Sequence, residues 1–290
     1  MKKTFLSLSL GFSMFLLVQA NAFAVLIDLG DAASFAVLGL DGADVTISSG
    51  ATTVTGDVGI GPNNTGDLLK ATITGTLFVD PTASPNIHGD LNVTGGQIAQ
   101  DLTQASDDAL AASLAATALT PTQTFGDITD STTITADQIC NVILLNSLDL
   151  VKETLTLSGG AGDFFLFNVT NGFTFNGSLI VLDGGLTSDH VLFNFSTTGT
   201  GDIDIFKDTA VAYGTFLAPT RDVTLDKATL YGAILSGEKI VVHSGAQLNF
   251  TPFTPPPPPP EIPEPASLML TGLGLAGLGF WHRREKTRTI

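Results

Sequence analysis

Positive charge is scarce in this chain, and half of it sits at the two ends. Twelve Lys and Arg face 28 Asp and Glu. Lys2, Lys3, Arg283, Arg284, Lys286 and Arg288 lie in the terminal segments, so residues 25–262 carry six cations against 26 acids, a net charge of −20. Nucleic acid binding needs many cationic side chains to neutralise closely spaced phosphates, so nucleic acid is excluded as a partner. Cysteine is nearly absent. Cys140 stands alone, so no intrachain disulfide exists, and stability must come from burial and ladder hydrogen bonds. Cys140 itself reads as a small buried hydrophobe. Catalytic groupings are also missing. The body has one arginine, Arg221, and its histidines His88, His190 and His243 are far apart in sequence. No nucleophile elbow and no metal-ligand spacing occurs, so neither an enzyme nor a cofactor or metal is expected.

Small turn residues and β-formers are abundant instead. There are 31 glycines and 19 phenylalanines, with many Thr, Val and Ile. The clearest internal order is a repeat. Tyr213-Gly214-Thr215-Phe216-Leu217-Ala218 is followed by Tyr231-Gly232-Ala233-Ile234-Leu235-Ser236. Each copy leads through a polar turn into an alternating strand, Val223-Thr224-Leu225 and then Ile240-Val241-Val242. An earlier copy, Val191–Phe195, leads to Ile203-Asp204-Ile205. Units of roughly 20 residues cannot bury an apolar side alone, and stacking them makes a continuous core. The fold class expected is therefore an all-β solenoid. Phe164, Phe165, Phe167, Phe173 and Phe175 lie inside alternating strands and read as its filling. The spatial order of the coils stays open.

One stretch breaks the β pattern. Ile98, Leu102, Ala105, Ala109, Ala112, Ala116 and Leu119 form one helical stripe, and Thr120-Pro121 ends it. This predicts one long α-helix over 97–119, about 35 Å in length, packed alongside the solenoid through its alanines.

The two ends are addressing segments. Residues 1–24 read as a signal peptide, with Lys2-Lys3, an apolar run from Phe5 to Val18 and small residues suited to signal peptidase. The solenoid domain is placed at 25–250, and a stiff Pro-rich spacer at 251–262. Then come Pro263-Glu264-Pro265, an apolar segment at 266–281 and the basic pair Arg283-Arg284. Read as a helix, the apolar segment spans about 24 Å, short for a bilayer, with its basic end held in the cytoplasm.

These three parts in this order resemble the PEP-CTERM sorting signal of Gram-negative bacteria that make exopolysaccharide. The resemblance implies recognition by an exosortase-type membrane enzyme, processing near Pro263-Glu264-Pro265, transient anchoring in the inner membrane and delivery to the cell surface or matrix. The body is similar to the ice-binding-like β-solenoid family. The likeness rests on Ala33-Ser34-Phe35-Ala36-Val37-Leu38, on Thr53-Val54-Thr55-Gly56-Asp57-Val58-Gly59, on the helix that follows and on the final coils. It covers about 28–250 and implies an irregular β-helix with short coils and a flanking helix.

A fold does not settle a function, and two readings follow. One is a structural or adhesive protein of the extracellular matrix, with extracellular polysaccharide as partner. The other is an ice-binding protein. The family's ice faces use flat ranks of small outward residues, and four T-x-T pairs suit that: Thr53/Thr55, Thr72/Thr74, Thr133/Thr135 and Thr154/Thr156. Threonine is equally an ordinary solvent-facing strand residue. The last coils would instead present Asp204, Thr224 and Val241. Gly159–Asp163 and Gly199–Asp204 are similar to glycine-aspartate calcium turns, without the nonapeptide spacing, and read as solvated turns.

Overall fold

The computed structural model describes residues 27–195 and 198–256. The leader at 1–24, the sorting tail with its apolar segment 266–281, and residues 257–262 of the spacer lie outside the described residues. Among the described residues, no helix is long and apolar enough to cross a membrane.

Among the described residues the body is a solenoid of 24 short strands with parallel ladders, two 3-10 turns and one α-helix. A full coil has three sides. Phe164–Val169, Phe173–Asn176 and Leu179–Asp183 make one, and Val191–Phe195, Ile203–Phe206 and residues 211–213 stack on it. Alternation sets which residues enter the core, because successive side chains point to opposite faces. In Ile203–Phe206 and Val223–Asp226 the isoleucines, valine and leucine are buried and the residues between them are not. One inward rank runs Ile143, Phe167, Phe193, Phe216, Ile234, Val37, Val58, Leu77, one residue per coil, all fully buried. Phe167, Phe193 and Phe216 stack at 4.6 and 5.0 Å, and Phe173 meets Phe193 edge-on at 5.3 Å. Phe165, Phe167, Phe173 and Phe175 are thus the filling, as their strand pattern predicts, whereas Phe164 points to the opposite face of its strand and lies against the His190 ring.

Val211–Ala218 and Thr229–Ser236 each run across two sides and bend at Gly214 and Gly232, with φ of 111° and 156°. A Cβ on Gly232 would lie 1.8 Å from the Gly214 carbonyl oxygen, so no other residue fits that bend.

The coils do not stack in sequence order. Ile234 pairs with Val37, and Gln247–Phe250 lies between Thr229–Ser236 and Thr53–Thr55. The last coil is therefore wedged against the first. One end of the stack is formed by Gln97–Ala99, the other by Gln123–Ile128. The chain must cross the whole length between these two strands. On this side ten strands at about 4.8 Å give roughly 43 Å to cover. The helix, Thr103–Ala118, supplies about 24 Å, and the seven extended residues around it about 23 Å. The two lengths match, so the helix is the return path.

The helix is shorter than the 97–119 stripe predicts. Gln97–Ala99 instead adds a strand to Leu77–Val79, with Ile98 47% exposed. The Asp80 carboxylate accepts the Leu102 N–H at 2.9 Å and fixes the start there. Ala105, Ser106, Ala109, Ala112, Ser113 and Ala116 form its buried face. They pack over Leu38, Val142, Leu166, Leu192, Leu217 and Leu235, a second apolar layer outside the main core. Polar groups lock the docking. The buried Asn194 accepts from Ser113 Oγ at 2.6 Å and donates to Thr117 Oγ1 at 3.1 Å and Asn168 Oδ1 at 2.8 Å. Asn168 in turn donates to the Ala116 carbonyl at 2.8 Å.

Candidate functional site: the two uncovered sides

The helix covers one side, which leaves two sheet sides facing solvent. All four T-x-T pairs fall on the same one. Their central residues Val54, Ile73, Ile134 and Leu155 are buried, and the threonines point outward. The stacking order separates them into two groups. Thr53 pairs with Thr72, which places Thr55 beside Thr74, near one end. Thr133 pairs with Thr156 near the other, with Thr135 and Thr154 flanking. Four coils lie between, a gap of roughly 24 Å.

In those middle coils Thr229 is the one threonine of the two outward ranks. The first outward rank runs Thr154, Leu179, Val211, Thr229, Gln247, Thr53, Thr72, Asn92. The second passes from Thr156 through Val181, Tyr213, Tyr231 and Asn249 to Thr55. Tyr213 and Tyr231 stack at 5.1 Å, and Leu179, Val181 and Tyr231 are each nearly two-fifths exposed. The side is thus bulky and apolar at its centre, with small residues toward the ends.

The other uncovered side carries a mixed rank: Asp149, Thr174, Asp204, Thr224, Val241, Thr46. Partial burial, and then Asp202 and Asp222, push the Asp204 carboxyl above its ordinary range, although a hydrogen bond from Thr224 opposes this. This side is acidic and uneven.

The remaining polar groups serve the frame. Burial works against ionising Asp80, but the Leu102 and Thr82 N–H groups and the Thr82 hydroxyl outweigh it and hold the pKa down. Asp80 lines a shallow depression of about 410 Å³ with Asp41, Asp101 and Asp107, at the start of the helix. Asp163 of the glycine turn accepts the Gly160 N–H at 2.7 Å. Among the described residues no three His, Cys, Asp or Glu side chains come together to hold a metal. The His190 ring lies against Phe164, and His243 contacts the adjacent Ser244. Cys140 is partly rather than fully buried, and burial raises its thiol pKa.

Sequence reasoning gave Arg221 no structural role. It is buried, and its guanidinium donates to the carbonyls of Thr170 at 2.6 Å and of Asn171 and Thr200, both at 2.8 Å. It clamps the corner turns of two neighbouring coils. A lone arginine in an acidic body, two residues after a turn proline, was the available signal.

A family model for the ice-binding-like adhesive domain matches residues 16–249. The chain belongs to that family. Solved structures similar to this ice-binding-like chain agree on the fold. An ice-binding protein from the Antarctic ascomycete Antarctomyces psychrotrophicus is 21% identical, with a TM-score of 0.52 over 78% of this chain and 98% of its own. An ice-binding protein from an Arctic yeast, whose structure was solved to explain antifreeze activity, is 21% identical, with a TM-score of 0.55 over 82% and 97%. An ice-binding protein domain from Shewanella frigidimarina is 17% identical, with a TM-score of 0.54 over 77% and 97%. At these identities the likeness establishes the fold alone. No curated protein matches the chain. The PEP-CTERM sorting motif matches residues 261–284, which marks this ice-binding-like protein for export, sorting through the membrane and processing by exosortase-type machinery.

Proposed function

We propose that this is a non-catalytic, exported protein with a structural or adhesive role in the extracellular matrix, delivered by its tail with Pro263, Glu264, Pro265, Arg283 and Arg284 as the sorting residues. One observation carries the reading. Neither uncovered side is a flat array of small residues: one is interrupted by Leu179, Val181, Tyr213 and Tyr231, the other by Asp149 and Asp204. A bulky and acidic surface suits adhesion to hydrated polymers better than registry with a crystal lattice. The test is retention. Wild-type protein stays in the surface and matrix fraction of the producing cells. Protein in which Pro263-Glu264-Pro265 is replaced by alanines accumulates unprocessed with the membrane. Wild-type protein found free in the medium, with none retained, would refute the matrix role.

A second reading is ice binding, favoured by the contiguous Thr53, Thr55, Thr72 and Thr74 at one end and by neighbours that are ice-binding proteins. Residues 26–257, one compact unit, suit assays of thermal hysteresis and recrystallisation. On this reading Thr72→Tyr abolishes ice shaping while stability moves by only about 0.5 kcal/mol. Wild-type protein with no effect on ice removes the reading.

A further inference from the structure

The corner between the acidic side and the threonine side has an unusual backbone. Its residues stack as a column: Lys152, Gly177, Lys207, Lys227, Ser244, Ser49, Lys70. All seven have positive φ, between 49° and 83°. The ladder that sets their order runs through the preceding residues Val151, Asn176, Phe206, Asp226 and His243. Corner hydrogen bonds confirm it, from the Lys152, Gly177 and Lys207 N–H groups to the carbonyls of Asn176, Phe206 and Asp226. Left-handed backbone suits glycine, and a side chain with a Cβ is disfavoured there. Lysine is not a usual occupant, since Asn and Asp are the ordinary non-glycine choices. Yet four of the five lysines among the described residues, all except Lys239, take this conformation at this one corner.

The four ammonium groups are unspent. All four lysines are exposed, and no lysine among the described residues makes an ion pair within the chain. Of the acids beside the column, Glu153 accepts the Ser131 hydroxyl and Asp90 accepts the Lys70 backbone N–H at 3.3 Å, while Asp208 and Asp226 adjoin Lys207 and Lys227 without an ion pair to them. The column spans six coil steps, roughly 29 Å, along the solenoid axis. On the adjoining side of the same coils lie the exposed Leu179, Val181 and Tyr231. Cations in a line, flanked by exposed apolar side chains on an otherwise acidic body, complement a linear polyanion whose repeating units have apolar faces.

We infer that this lysine column docks acidic polysaccharide, with sugar carboxylates on Lys152, Lys207 and Lys227 and ring C–H faces over Leu179, Val181 and Tyr231. The inference rests on the matrix reading and names its partner. Each exposed ion pair is worth little alone, so binding comes from several contacts made along one polymer. A single uronic acid therefore does not bind measurably, whereas a long polyuronate does, and salt weakens it by screening.

The test uses the purified protein and a polyuronate such as alginate, with neutral dextran, duplex DNA and anionic phospholipid vesicles as comparisons. Three lysine-to-glutamine changes, at Lys152, Lys207 and Lys227, lower polyuronate affinity roughly tenfold or more, as loss of three such contacts requires. The same three positions changed to arginine retain binding. A charge-restored form of the glutamine variant, carrying Gln104→Lys, Leu110→Lys and Leu114→Lys on the exposed helix surface, stays weak. Melting temperatures show that each variant is folded. The inference is overturned if wild-type protein ignores polyuronate at low salt, if the helix lysines restore binding, or if DNA or vesicles bind as tightly. A lysine variant that loses polyuronate but remains in the cell matrix fraction separates the column from the matrix role, and refutes only the column's part in retention.

Discussion

Truncating Asn194 to alanine tests what holds the helix to the solenoid. Its side chain is fully buried between the helix and the sheet. The Oδ1 atom takes the Ser113 hydroxyl proton, and the Nδ2 group serves Asn168 Oδ1, Thr117 Oγ1 and the Ser113 carbonyl. Thr117 also donates to the Ser113 carbonyl, so that oxygen keeps a partner after the change. The Ser113 hydroxyl and Asn168 Oδ1 do not. Two buried polar groups left unsatisfied at about 1–3 kcal/mol each, plus a small cavity, give a cost of about 3 kcal/mol. For a body of this size that lowers the melting temperature by roughly 6–12 °C. Urea or thermal unfolding followed by circular dichroism measures it. A double-mutant cycle with Asn168→Ala should give a coupling energy of roughly 1 kcal/mol, because each amide removes the other's partner. A loss below about 1 kcal/mol for Asn194→Ala would refute the reasoning, and would mean that water replaces the amide or that apolar packing alone seats the helix.

Ala109 has no exposed surface under the helix, so Ala109→Lys should cost about 2 kcal/mol or more in the same unfolding assay, by burying a charge or displacing the helix. Arg221→Ala should cost about 3 kcal/mol, because the Thr170 and Thr200 carbonyls lose a charged donor; Arg221→Lys should recover only part of it, since one ammonium cannot reproduce the fork. Asp204 has a raised pKa in the folded state, so the native form binds its proton more tightly and this group's contribution to stability falls as pH rises through the folded pKa. Asp204→Asn should therefore melt higher than wild type at neutral pH, with the gap closing in acid as Asp204 itself becomes protonated. Lys227 has φ of 58°, and Lys227→Gly should stabilise by up to about 1 kcal/mol, which calorimetry would detect.

The parts of this protein that were legible in its sequence are those encoded locally. Period-two alternation in Ile203-Asp204-Ile205 and Val223-Thr224-Leu225 gave the inward and outward assignment that the structure has. The alanine stripe located the helix but not its start, because Ile98 sits at a helical spacing while its backbone pairs as an edge strand with Phe78. Each T-x-T pair was legible as two threonines on one face of its strand, yet that all four share one side and divide into two groups was invisible. It depends on Gln247 pairing with Thr53, a contact across 194 residues with no local signature. Asn168 and Asn194 interrupt apolar runs and look like misplaced polar residues until the helix is laid over them. The corner column was hidden for the same reason: each lysine is ordinary in its own turn, and only the stacking brings them into line.

The wedged last coil governs when this protein can be complete. Residues 35–99 form one stack and residues 123–226 another, and they join through the strands between residues 229 and 250. That seam closes loops of about 200 residues, so its entropy is among the largest costs of folding and its contacts form late. A chain emerging N-terminus first cannot close the seam until its final strand has arrived. Loss of Gln247–Phe250 would open the threonine side between Thr229 and Thr53 rather than fray an end. The solenoid therefore behaves as a ring of dependencies, in which the last strand of the body is the keystone and a chain cut short of it remains two loosely joined halves.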